Sequence, residues 1–272
     1  PLNQFRRMLG KKSGALYFTA VEHDLFVWTI TEKIFSFRRI ADGRKKNAQL
    51  VRRMNDALLT GTGAVLVAEE MKTLFSHERK ILQGLNVYVI REPEMVHLES
   101  VFDRFSAYLP SVALAVAFSG KQSQPVHGIR LRSDDTTDIA AVAQSGAARS
   151  AEGGGILVFR AQSEPASETL SAQIRSGSDI ITVMPGSGEP TERDMVLAAL
   201  SGTTGIAVLD PAAREGSEAV FLSRFLTALK IKSGVRSFRE ARRELESSRR
   251  YADIRHLNGI YLMLITPAEE RE

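Results

Sequence analysis

The sequence predicts an α/β protein: a largely parallel open sheet flanked by helices, preceded by an N-terminal β-meander with its own helices. Three observations predict it. Beyond residue 150, short β-rich runs alternate with amphipathic helical segments, the pattern that parallel strands with crossover helices produce. The first forty residues instead hold three β-rich runs in succession. The 272 residues are 43% hydrophobic and 25% charged, enough apolar side chain for a sizeable core.

Leu2–Leu9 reads as a short basic helix. Ala15–Val21 and Leu25–Ile30 are β-rich runs on either side of Glu22-His23-Asp24, a hairpin pattern. Lys33–Ile40 alternates imperfectly and fits a third strand, which Asp42-Gly43 breaks. Asn47–Leu59 spaces Leu50, Val51, Met54, Ala57 and Leu58 along one helical face, and Gly61-Thr62-Gly63 ends it. A further helix is expected over Glu69–Leu82 with Met71, Leu74, Phe75 and Leu82 inward, then strands at Asn86–Ile90 and Val112–Phe118. The Ser/Gly/Ala-rich stretch Gln144–Gly155 reads as a loop. Strands follow at Ile156–Phe159, Ile180–Met184, Gly205–Leu209 and Gly259–Ile265. Between them, Thr191 and Asp194 open a helix closed by Gly202. Glu218–Leu229 is amphipathic, and Ser237 with Glu240 forms a capping box for a helix through Leu245. The chain divides into 1–110, the meander and helices, and 111–272, the α/β part, the two packed as one unit.

Net charge is +4, and the basic residues gather at Arg38-Arg39, Arg44-Lys45-Lys46, Arg52-Arg53 and between Arg236 and Arg250. Such clusters suit nucleic acid or an anionic surface. Glu240, Glu244 and Glu246 interleave with the last group and no aromatic stacking motif accompanies the charge, so solvated helix faces are the expectation. There is no cysteine, which removes disulfides, thiolate metal sites and a cysteine nucleophile. No apolar run approaches the roughly 20 residues of a membrane helix, so no membrane span is expected and the expected location is cytoplasmic. Because the chain opens with Pro1 rather than Met, it is expected to be an excised or processed piece.

The chemical motifs are weak. Gly120-Lys121 lacks both the leading glycine of a phosphate loop, where Ala115 stands, and its Ser/Thr, where Gln122 stands. Gly153–Gly155 precedes a strand, whereas a dinucleotide fingerprint follows one. Gly186-Ser187-Gly188 follows a strand and could hold an anion on backbone N–H groups, but suits an ordinary strand-to-helix turn better. His23, His77, His97, His127 and His256 show no metal-ligand spacing, and Asp134, Asp135 and Asp138 suit a helix start better than a cation. No metal or cofactor is expected.

Several local patterns taken in order resemble the CHAT domain, a caspase-like domain often found with tetratricopeptide repeats. They are the early strand Leu25–Ile30 with its aromatic position, the helix Glu70–Leu82 with the strand Asn86–Ile90, and the proline-containing turn from Arg91 to Phe102. The later ones are Val196–Leu209, Ala219–Leu229, Gly234, Phe238–Leu245 and Tyr251–Ile265. The resemblance implies a caspase-like fold of the clan CD peptidase type, in which a histidine follows one sheet strand and a cysteine the next. Here Arg160-Ala161-Gln162-Ser163 and Pro185-Gly186-Ser187-Gly188 stand at those places. Without imidazole or thiol, neither a nucleophile nor its base is in place.

The expectation that follows is a pseudo-peptidase acting as a scaffold or regulatory component. A protein or peptide would sit in the former substrate groove formed by Arg160, Gln162, Ser163, Glu164, Pro185, Gly186, Ser187, Gly188 and Glu189. Two alternatives stand beside it. One is a hydrolase using a nucleophile such as Ser187, or the Asp134/Asp135/Asp138 group. The other is a nucleic-acid or anionic-surface binder whose basic helix, 44–59, presents Arg44, Lys45, Lys46, Arg52 and Arg53.

Overall fold

The computed structural model describes residues 1–90, 97–119, 129–132, 156–160, 180–184, 192–200, 205–209, 217–229, 234–248 and 260–267. It is a mixed α/β protein of two compact units, Pro1–Ser119 with Thr266–Glu272, and Gly120–Ile265.

The first unit opens with helix α1 (Leu2–Leu9) and the meander β1 (Ser13–Val21), β2 (Asp24–Thr31) and β3 (Phe35–Ile40). Helices α2 (Gly43–Thr60), α3 (Ala64–Leu74) and α4 (Ser76–Ile81) follow, then β4 (Asn86–Ile90), β5 (Phe105–Leu109) and α5 (Val112–Ala117). The strands lie in the order β3-β2-β1-β4-β5. The meander pairs antiparallel, and β4 adds parallel to β1 with β5 parallel to β4. Glu22-His23 makes the two-residue turn between β1 and β2, with Glu22 at φ 53°.

Helix α2 packs against the sheet through Gly43, Asn47, Leu50, Met54 and Ala57, a buried stripe at helical spacing. Val51 and Leu58, expected inward, are half-buried at its edges. Gly43 is there for close approach: a Cβ on it would lie 2.7 Å from the Cβ of Leu25 and 2.8 Å from that of Ile40. Gly61 ends the helix at φ 77°, its N–H donating to the Ala57 carbonyl. Phe18 of β1 meets Phe75 edge to face at 5.6 Å. Arg38 of β3 donates to both oxygens of the buried Glu78 (2.7 and 2.6 Å) and to the Leu74 carbonyl (2.8 Å), clamping the edge strand to α3 and α4.

The second unit has strands β6 (Ile129–Arg132), β7 (Ile156–Arg160), β8 (Ile180–Met184), β9 (Gly205–Leu209) and β10 (Ile260–Leu264), with helices α6 (Glu192–Leu200), α7 (Ser217–Leu229) and α8 (Gly234–Ser247). The order is β10-β9-β8-β7-β6. β6 to β9 are parallel and β10 is antiparallel to β9. Phe221 and Phe225 of α7 and Phe238 of α8 form one buried aromatic cluster, with ring centroids 5.2–6.2 Å apart. Arg242 of α8 donates to the Ile260 carbonyl at 3.2 Å.

Four expectations need correction. Val112–Phe118 is helix, not strand: the Ser111 hydroxyl accepts from the Leu114 N–H at 3.1 Å and caps it. The expected helix Glu69–Leu82 is two helices that meet at Phe75, the first starting at Ala64. Ser237 is no cap, because α8 begins at Gly234 and leaves Ser237 buried inside its first turns. Strands β5 and β6 were not anticipated, and Arg160 belongs to β7 rather than to the loop after it.

Candidate interaction site

Strand alternation sends Leu16, Phe18, Leu25 and Val27 to one face of the meander, where all four are buried. Their neighbours go to the other face. The register sets Tyr17 opposite Trp28 and Trp28 opposite Phe37, one aromatic row across three strands. Tyr17 and Trp28 rings lie 5.3 Å apart, and Trp28 and Phe37 also 5.3 Å. Phe26 stacks on Phe37 at 5.8 Å. Phe35, opposite Ile30, extends the same face along β3.

Among the described residues this face is covered at one side only. On β4 the residues beside it, Tyr88 and Ile90, are buried, whereas Phe35 is 49% and Phe37 54% exposed. Tyr17, Phe26 and Trp28 are half-buried. β3 ends the strand order of its unit, so among the described residues its outer edge has no strand partner. An edge strand presenting half-exposed aromatic rings is an interaction surface or an aggregation liability.

Charge borders the rings at both ends of β3. Arg6 of α1 donates to the carbonyls of Thr31 and Glu32 (3.0 and 2.7 Å) at the turn that contains exposed Lys33. At the other end, Arg39 pairs with Asp24, whose second oxygen accepts the Asp42 N–H at 3.0 Å. The Asp42 amide, and then the Arg39 guanidinium, hold the Asp24 carboxyl below its usual pKa. The Arg44 N–H donates to the His23 carbonyl at 3.0 Å, which brings the first turn of α2 to this end.

The five basic residues expected on the second helix, Arg44, Lys45, Lys46, Arg52 and Arg53, are all exposed on α2. They are not one free patch. Arg53 grips Glu70 through two bonds of 2.6 and 2.7 Å, which lowers the Glu70 pKa and raises that of Arg53. Lys46 donates to the Ala41 carbonyl at 3.0 Å.

The expected groove is reached only in part. Arg160 ends β7 opposite Met184 of the parallel β8, so the two strands finish side by side. Gln162, Ser163, Glu164, Pro185, Gly186, Ser187, Gly188 and Glu189 lie outside the described residues, as do Asp134, Asp135, Asp138, His127 and His256. His97 bonds Asn55 Oδ1 at 2.7 Å, and among the described residues no three His, Cys, Asp or Glu gather as for a metal. No described helix is long and apolar enough to cross a membrane.

A cavity of about 260 Å³ in the first unit is bordered by Arg79, Lys80 and Arg104, but Arg79 faces Asp103 at 3.3 Å and Arg104 donates to the Gly84 carbonyl at 2.6 Å.

The aromatic face was not anticipated, although a signal existed. Phe26 and Trp28 stand two apart in one strand, as do Phe35 and Phe37 in the next, so each pair shares a face, and Leu25–Ile30 carries apolar residues on both faces. No protein-family model matches this chain, and no curated protein matches it.

Proposed function

We propose that the chain is a noncatalytic module that binds a protein or peptide segment on the open aromatic face of its meander, carried by an inactive caspase-like scaffold of the CHAT type. The observation that carries this is the Tyr17–Trp28–Phe37 row running out to an edge strand whose rings are half exposed. Half of a phenylalanine side chain is roughly 100 Å², so Phe35 and Phe37 together offer about 5 kcal/mol of burial at ~25 cal/mol/Å². Association costs of similar size offset that amount. A partner therefore also needs main-chain bonds, which the outer edge of β3 offers to an added strand. The noncatalytic part is supported by the absence of cysteine and by Pro185 and Arg160–Ser163 at the family's catalytic places.

Quantitative co-purification with wild-type chain, Phe37→Glu and Arg160→Glu tests the reading. Partners lost with Phe37→Glu and retained with Arg160→Glu support the face. The reverse places binding at the ends of β7 and β8, and equal capture by all three refutes the face. Labelling of Ser187 by a fluorophosphonate probe would overturn the noncatalytic assignment in favour of a hydrolase.

A further inference from the structure

The charge around the aromatic face narrows the partner to one chemistry. Residues 1–53 hold twelve Lys and Arg but four Asp and Glu, a net +8 in a chain whose total is +4. Of these cations, Lys33 before β3 and Arg44, Lys45 and Lys46 after it lie at the two ends, with Glu32 beside the first and Glu22, Asp24 and Asp42 beside the others, while Arg38 and Arg39 lie within the strand and are ion-paired. Lys33 stands in the turn before the strand, with Arg6 bonded to the same turn. The first turn of α2, with Arg44, Lys45 and Lys46, stands at the far end. Between them the exposed face offers Phe35 and Phe37, and Arg38 is committed to Glu78 on the opposite face.

That placement discriminates among occupants. A second copy pairing edge to edge would set one cationic end against another, which like-charge repulsion disfavours. A single-stranded nucleic acid carries a phosphate at every step and needs cations beside each ring, whereas the middle of β3 offers none that is uncommitted. An extended peptide with an apolar middle and acidic ends matches both features.

Resting on the binding function proposed above, we infer that the partner segment is an acidic strand. It adds along β3, sets alternate apolar side chains on Phe35 and Phe37, and places Asp or Glu at its two ends against Lys33 and against Lys45. A six-residue strand spans roughly 20 Å at about 3.3 Å per residue, so six to eight partner residues fill the edge.

The test is selection of random dodecapeptides on the immobilised full chain, followed by fluorescence anisotropy of the selected peptides. The expected winners carry two apolar residues at i and i+2 with acidic residues outside them. Loss of a buried ring contact costs about tenfold or more in affinity, which Phe35→Glu/Phe37→Glu should show. Because that double variant alters a strand, Lys33→Glu/Lys45→Glu, at exposed positions outside the strands, serves as a second variant and should weaken binding several-fold. Replacing the acidic residues of a selected peptide by Lys should abolish binding.

Peptides that depend on Phe35 and Phe37 but bind equally with Lys in place of Asp and Glu would overturn the acidic assignment and leave the binding face standing. Peptides with no dependence on the two rings would overturn both. Retention of labelled oligo-dT with the same ring dependence would also overturn both, making the partner a nucleic acid.

Discussion

The Arg38–Glu78 clamp sets how firmly the proposed binding edge is held, and its two halves are unequal in a measurable way. The Glu78 side chain is 0% exposed and that of Arg38 is 29% exposed. Arg38→Met leaves a carboxylate fully buried without its counter-charge, and breaking a buried pair in this way costs about 3–5 kcal/mol. Glu78→Gln leaves a guanidinium that water still reaches and that keeps its bond to the Leu74 carbonyl. Its cost is about 1–3 kcal/mol, that of a lost charged hydrogen bond. With a urea slope of about 2 kcal/mol/M, Arg38→Met should lower the unfolding midpoint by about 2 M and Glu78→Gln by about 0.5–1.5 M. Arg38→Met/Glu78→Gln removes both charges, so its cost should fall short of the sum of the two single changes by about 2 kcal/mol. Urea unfolding followed by Trp28 fluorescence reads all three, since Trp28 sits on the neighbouring strand. The reasoning fails if Glu78→Gln is the more damaging change, or if the costs simply add.

Three further outcomes follow from single contacts. Gly43→Ala should cost about 1–3 kcal/mol of overpacking, because the new methyl meets two Cβ atoms that cannot swing away; an unchanged midpoint in urea would contradict it. The Asp24 carboxyl should titrate below the ordinary value of about 3.9 by carbon-detected NMR. A lowered folded value stabilises above the unfolded pKa and is lost as pH falls through the folded one. Asp24→Asn should therefore be less stable than wild type at neutral pH, with the gap closing in acid; a gap constant with pH would refute this. Lys45→Glu replaces an unfavourable charge in the first turn of α2, which holds no acidic residue, and should stabilise the chain by about 0.5 kcal/mol. A lowered thermal midpoint for this variant would count against that account.

Long, periodic or punctuated segments were legible in the sequence. α1, β4, β8 and β9 fall where their residues predict them, and the Gly61 stop of α2 holds because only a left-handed residue closes that helix. The failures share a cause. Val112–Ala117 is a short apolar run with no period to separate strand from helix, and only Ser111 marked its start. Phe105–Leu109 is buried along its whole length, so it lacks the alternation that identifies a half-exposed strand. The aromatic face was hidden differently. Its residues are ordinary strand formers one strand at a time, and they become a patch only once the register of three strands sets Tyr17, Trp28 and Phe37 in one row.

Hydrogen exchange along β3 tests the central claim most directly. On addition of a selected acidic peptide, the backbone amides of Phe35–Ile40 should gain protection, while those of β6 to β9 keep their rates. Protection confined to the ends of β7 and β8, with β3 exchanging as before, would contradict it.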